Sequence, residues 1–224
     1  MNPCTTTYYL RLALTLPAFF LVSLHCCTMQ GATGDVSPDL PSKIHNRAIT
    51  SLSVKDRKTI HLDEREGDGV AWWPDKTLSN GTIEFDVRGT NVMQKSFVGI
   101  AFHGLDEKTY DAVYLRPFNF QTTDSVRLSH GVQYISHPIH TWNKLRDERA
   151  GQFEHEVSPA SDPNDWVHVK VLVEYPRVRV FINQSIKPSL DVRQLSDRKG
   201  GWIGLWVGNG SGGDFANLVI KPIP

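Results

Sequence analysis

Ile83-Glu-Phe-Asp-Val-Arg88 alternates apolar and polar side chains without a break, and Asn80-Gly81 just ahead of it supplies a turn. Successive side chains of a strand point to opposite faces, so the pattern is that of a β-strand with one face on a core and the other toward water. Segments of the same kind recur to the end of the chain. Phe97-Val-Gly-Ile-Ala-Phe102 is a continuous apolar run, the mark of a central strand covered on both faces. Ala112–Arg116, Val132–Ile135, Val167–Val173, Val178–Ile182, Ile203–Val207 and Phe215–Ile220 continue the series, and no helical periodicity of useful length competes. About ten strands at near-regular spacing, punctuated by Gly, Pro and Asn, predict an all-β fold of two antiparallel sheets packed face to face as a jelly-roll sandwich. Asn209-Gly-Ser-Gly-Gly213 reads as the loop joining the last two strands.

The N-terminus stands apart from this pattern. Arg11 precedes the apolar run Leu12–Leu24, which has the length of a signal-peptide core and is short for a membrane span. Leu24-His25-Cys26-Cys27 places Leu three residues before Cys27, as in a bacterial lipoprotein cleavage box, although His25 fits that box poorly. Residues 1–27 are therefore expected to be an export signal, with lipid anchoring at Cys27 or release as its outcomes, an uncleaved anchor being disfavoured by the short apolar run. The protein would be secreted, periplasmic or lipid-anchored at the cell surface. A polar leader, 28–45, and one β-sandwich domain, 46–224, would follow. All three cysteines, Cys4, Cys26 and Cys27, fall in the signal, so the mature domain has no thiol pair to cross-link and must stand on its core alone. Roughly 180 residues are ample for that, since a domain of this size buries about 70% of its unfolded surface.

Lys plus Arg and Asp plus Glu each number 24, giving no net charge, and no Lys/Arg cluster with interleaved aromatics is present. Nucleic acid is thereby excluded as an expected partner. The six tryptophans and six tyrosines, many beside Gly, Asn or Asp, suit the stacking surfaces of sugar-binding proteins as well as a β-core.

The region Tyr110–Arg146 carries Tyr114, Arg116, Asn119, Gln133, Tyr134, His137, His140, Trp142 and Arg146 in a stretch otherwise patterned as strand. A segment that only built a core would avoid these types, because a buried polar group without a partner costs roughly 1–3 kcal/mol. Alternation puts Tyr114 and Arg116 on one face. An arginine there needs an anion, either internal (Asp111, Asp124 or Glu154) or a ligand carboxylate. Gln133 and Tyr134 are neighbours and face opposite sides unless a bulge intervenes. Trp142 and Arg146 lie on the connection after the Gln133 strand, where they could close over the sheet. Trp202 and Trp206 line one face of their strand. His137-Pro-Ile-His140 has no Cys or carboxylate close in sequence to complete a zinc set, so no metal is expected there.

Asn80–Val87, Phe97–Phe102, Trp166–Val171, Val178–Asn183, Gly204–Val207 and Phe215–Leu218 resemble the repeated strand phrases of concanavalin A-like (laminin G-like) lectin and glucanase domains. The likeness covers most of the mature chain. It implies a glycan bound on one sheet, while leaving open lectins, 3-keto-disaccharide hydrolase-like proteins and alginate-lyase-like enzymes. A structural calcium occurs in this superfamily, with Asp63–Asp68 as a loop that could hold one. Glucanases of the superfamily carry paired carboxylates on one strand, as at Glu84 and Asp86, but Arg88 takes the next same-face position, where it would neutralise them. Alginate-lyase-like jelly rolls neutralise a uronate carboxylate with Gln or Asn and Arg while His and Tyr move protons.

By that likeness the leading expectation is β-elimination on a uronate-containing oligosaccharide by a monomeric exported protein. Tyr114, Arg116, Asn119, Gln133, His140, Trp142, Arg146 and Glu154 would bind, and Tyr134, His137 or His103 would transfer protons. A glycan-binding protein without catalysis and a glycoside hydrolase are the alternatives.

Overall fold

The computed structural model of the protein describes residues 1, 39–54 and 57–223. Residues 2–38, which hold nearly all of the stretch read as an export signal and most of the stretch read as a leader, lie outside the described residues. In chain order the strands are β1 (Lys43–His45), β2 (Ile49–Val54), β3 (Arg57–Arg65), β4 (Gly69–Leu78), β5 (Gly81–Arg88), β6 (Val98–Gly104) and β7 (Tyr110–Leu115). After a 3₁₀ turn, Pro117–Asn119, come helix α1 (Ser125–Leu128), β8 (Val132–His137), helix α2 (Trp142–Glu148) and β9 (Glu154–His155). The chain ends with β10 (Val167–Glu174), β11 (Arg177–Ile182), β12 (Leu190–Arg193), β13 (Gly201–Val207) and β14 (Ser211–Pro222).

These strands form two antiparallel sheets of seven, the sandwich expected from the alternation. The front sheet is ordered β1-β4-β13-β6-β7-β8-β9 and the back sheet β12-β11-β10-β5-β14-β3-β2. Every residue of β6 is buried, as its unbroken apolar run predicts, and β6 takes the central place of the front sheet. β5 alternates buried and half-buried residues along its whole length, with Ile83, Phe85 and Val87 on the core side. β1 begins ahead of residue 46 by pairing Lys43, Ile44 and His45 with β4, so the sandwich takes in the end of the stretch read as leader.

Register fixes which side chains leave the core. Trp206 pairs with Gly99, Gly99 with Tyr114, Tyr114 with Gln133, and Gln133 with Glu154. Residues paired across antiparallel strands share a face, so this row stands together on the outer face of the front sheet. The adjoining row, Leu205, Ile100, Val113 and Tyr134, points between the sheets. Gly99 is a necessity of the outer row: a Cβ there would lie 2.1 Å from the Val113 carbonyl oxygen and 2.6 Å from Tyr114 Cα. Both obstacles are backbone, which cannot swing away. Gly99→Ala is expected to destabilise the domain by about 2 kcal/mol or more, as overpacking against fixed atoms does, measured by urea unfolding; an unchanged midpoint would show that β6 and β7 can separate without cost.

Candidate functional site

A cavity of about 440 Å³ opens on the outer face of the front sheet. Tyr114, Phe97 and Trp206 form its floor. The Tyr114 and Trp206 rings lie 4.7 Å apart, and Phe97 meets Tyr114 and Phe118 edge-on. Its polar wall comes from the excursion between β7 and β8 and from α2. Asp124 caps α1 by accepting from the backbone N–H of Val126 and Arg127, which orients Arg127 and His130 toward the cavity they line.

Arg116 is the hub of that wall. Its buried guanidinium donates to the His130 carbonyl oxygen at 2.9 Å, to Tyr114 Oη at 2.8 Å and to Gln133 Oε1. Tyr114 Oη in turn donates to Gln133 Oε1 at 2.7 Å. Glu154, buried on β9, accepts from Arg146 Nε at 3.1 Å and Nη2 at 2.6 Å, and lies 3.5 Å from Arg116 Nη1 and 3.3 Å from His130 Nε2. Arg127 donates to Asn119 Oδ1 at 3.3 Å and to the Phe118 carbonyl oxygen at 2.9 Å. Three guanidiniums thus line the cavity: Arg116 and Arg146 share the carboxylate of Glu154, and the acceptors of Arg127 are neutral.

The protonation states follow from burial. Burial pushes the Tyr114 hydroxyl up to about 12 despite the arginines nearby, so it is a neutral donor rather than a base. His130 is held below the usual imidazole range, again by burial, against the opposing pull of Glu154. Arg146 is raised by its own hydrogen bonds to Glu154, against burial. At neutral pH the wall therefore carries an excess of positive charge.

Of the residues singled out from sequence, Tyr114, Arg116, Asn119, Trp142 and Arg146 line the cavity, with Trp142 half exposed at the rim and Arg146 stacked 5.3 Å from its ring. Gln133 and Glu154 stand behind them as buried partners. Two of the proton-transfer candidates are corrected. Tyr134 faces between the sheets, where its hydroxyl donates to Asp111 at 2.7 Å and accepts from the Leu195 N–H. His103 is turned inward by a β-bulge in which Phe102 and His103 of β6 oppose Ile203 of β13, with His103 at φ 51°. His103 is fully buried against Ser79 and Asp111, so neither residue reaches the cavity.

His137 shares the outer face, stacked on Tyr110 at 5.0 Å, with Nε2 3.8 Å from Asp68. His140 sits apart, in the bridge between Ser136 and α2, and does not line the cavity. Among the described residues no group of three or more His, Cys, Asp or Glu side chains could hold a metal ion. In the loop considered for calcium, Asp63 instead accepts from the Ala48 N–H and from Arg65.

Glu84 and Asp86 lie on the back sheet and not at the cavity. Arg88 does not neutralise them, since it donates to Asp214; Asp86 is held by Arg57, His168 and Asn217. The residues missed from sequence are Asp68, Arg127 and His130. Asp124 ahead of a short polar stretch was a capping signal for the helix that carries Arg127, with His130 just beyond its C-cap.

No family model matches the chain, and no curated protein matches it in sequence. Among solved structures, the carbohydrate-binding module CBM66 from Bacillus subtilis is 15% identical with a TM-score of 0.56, covering 79% of this chain and 92% of the module. The exoplasmic/lumenal domain of VIP36, solved with Ca²⁺ and Man₃GlcNAc, is 11% identical with a TM-score of 0.53, covering 81% of this chain and 83% of that domain. A Bacillus subtilis protein of unknown function with a galectin-like fold gives 13% and 0.52, over 80% and 88%. The chain has the jelly-roll fold of these lectin-type domains.

Removing Glu154's charge leaves buried Arg116 without its only nearby carboxylate. Glu154→Gln is expected to cost about 3 kcal/mol or more, the penalty of breaking a buried ion pair from one side, whereas Arg146→Ala, at a side chain 32% exposed, costs less. Equal effects in chemical denaturation would contradict the placement of Arg116 as the buried partner.

Proposed function

We propose that this is an exported glycan-binding protein that takes a carboxylate-bearing sugar in the front-sheet cavity. The observation that carries it is the charge balance of the cavity: Arg116 and Arg146 share one carboxylate, Glu154, Arg127 has neutral acceptors, and Asp68 stands apart, so three guanidiniums meet two carboxylates beside an aromatic floor. Planar guanidiniums pair with a carboxylate in a fixed fork geometry. Trp142 at the rim and Trp206 in the floor offer faces for sugar C–H groups. The cavity volume falls in the range of small-ligand sites, and CBM66 and sugar-bound VIP36 share the fold. Export rests on the apolar run Leu12–Leu24.

Binding without chemistry fits the site better than elimination, because Tyr134 and His103 face away from it. One feature keeps elimination as a second reading: His130, neutral and beside Glu154, lines the cavity and is placed as a base toward a carboxylate held by Arg146. In that reaction the base takes the proton α to the neutralised carboxylate, a C=C bond forms as the C–O bond at the β position breaks, and the departing oxygen leaves as a hydroxyl after taking a proton from water.

The test is calorimetric titration of the mature domain with uronate-containing oligosaccharides, with the ultraviolet absorbance of an unsaturated uronate followed in parallel. Binding without absorbance is expected, weakening as salt is raised and falling about tenfold in Arg146→Ala and in Arg127→Ala. An absorbance that develops in the wild type and is lost in His130→Ala would replace binding by elimination. Equal affinity for neutral and acidic sugars would overturn the charge-based assignment.

A further inference from the structure

Among the described residues, Asp68 is the only carboxylate whose residue lines the cavity directly, and it stands across the floor from the arginines. Strand order places it there: Asp68 leads into β4, Trp206 is on β13, Phe97 precedes β6 and Tyr114 is on β7, while Gln133 and Glu154 follow on β8 and β9. Trp206, hydrogen-bonded through Nε1 to Tyr110 Oη at 3.1 Å, separates Asp68's side of the floor from Tyr114.

The segment that carries Asp68 is fastened at unusual expense. Arg47 is buried, yet it spends its guanidinium on the carbonyl oxygens of Asn46, Gly67 at 2.7 Å and Gly208 at 2.9 Å, not on a carboxylate. Asn46 Nδ2 donates to the carbonyl oxygens of Glu66 and Asp68, and the Gly67 N–H donates to Asn209 Oδ1 at 2.6 Å. Gly67, at φ 76°, makes the turn. These bonds hold the backbone on both sides of a residue that lines the cavity and whose side chain is 35% exposed. The nearest ionisable partner, His137 Nε2 at 3.8 Å, is beyond hydrogen-bond length. Burial pushes the Asp68 carboxyl up from its ordinary value, against the pull of His137, Arg47 and the Asn209 N–H. A carboxylate fixed in this way is preorganised to accept hydrogen bonds from a ligand.

We infer that Asp68 is a second ligand-contact residue of the cavity, accepting hydrogen bonds from the hydroxyl groups of a sugar ring joined to the acidic one. The ligand class is then an oligosaccharide with an acidic residue at the arginine side and a neutral, hydroxyl-bearing residue at the Asp68 side. This rests on the binding of an acidic sugar proposed above. A uronate alone would fill only the arginine side.

The experiment titrates wild type, Asp68→Asn, Asp68→Ala and His137→Gln with a uronate monosaccharide and with a disaccharide joining that uronate to a neutral hexose, and records each protein's melting temperature. Both Asp68 variants should bind the monosaccharide within about twofold of wild type and the disaccharide about tenfold or more weakly, with His137→Gln keeping the wild-type preference. If the Asp68 variants bind the disaccharide as wild type does, the inference is overturned. It is also overturned if they and His137→Gln lose stability alike with no change in preference between the two sugars, which would make Asp68 a partner of His137 only. A wild type that binds the disaccharide and not the uronate alone, with Arg146→Ala unaffected, would sink the acidic-sugar reading and leave the Asp68 contact standing; binding of neither sugar removes both.

Discussion

In the front sheet, Trp206, Gly99, Tyr114, Gln133 and Glu154 stand in one hydrogen-bonded row, and the site depends on that register. A one-residue slip of β8 against β7 would exchange the faces of Gln133 and Tyr134. Arg116 would lose its amide acceptor to the core, and a phenol would stand in the cavity. The register is held from the inner side by a buried polar cluster. Asp111 accepts from Tyr134 Oη, Ser196 Oγ at 2.7 Å and Arg198 Nη2 at 3.0 Å, while Arg198 also donates to Ser136 Oγ at 2.8 Å. Burial opposes ionisation of Asp111, but His103, the Arg198 charge and the hydroxyl donors outweigh it and hold the carboxyl below its usual value. Tyr134 thus serves the site by anchoring the strand that presents Gln133.

On the outer side, the same strands carry charge that the core could not tolerate. Arg116 is nearly as buried as the residues of the hydrophobic core, and burial alone would drive it toward neutrality. Three neutral oxygens and a shared carboxylate keep it in place. The division of labour is between an inner arginine, Arg116, that shapes the wall and two outer ones, Arg127 and Arg146, that retain access to a ligand. A single glutamate serving as counter-ion leaves the wall short of negative charge, which is what an anionic sugar would supply.

Much of the fold was legible because alternation reports burial directly: β5 and β10 read as half-buried strands and β6 as a central one from side-chain type alone. The short pieces were not. β9 has two residues and β1 three, too few to show a period, and α1 and α2 lie below the length at which helical periodicity appears. The site was legible in part. Tyr114, Arg116 and Gln133 belong together because pairing puts them on one face, and the opposition of Gln133 to Tyr134 followed from the same rule. His103 was misplaced because the bulge at Phe102–His103 breaks the alternation that sequence reasoning assumes. Asp68 comes from a turn distant in sequence from that face and Arg127 from a helix of four residues, and only the packing of these connections brings them to one cavity.

The most direct test of the account is a nuclear magnetic resonance titration of the isotopically labelled mature domain with an acidic disaccharide, following the arginine side-chain N–H and tryptophan indole signals. The account predicts shifts at Arg146, Arg127, Trp142 and Trp206 that saturate together and vanish at high salt. Saturating shifts confined to Trp166 and its stacked partners Arg57 and Arg88 on the back sheet, with the cavity signals unmoved, would contradict it.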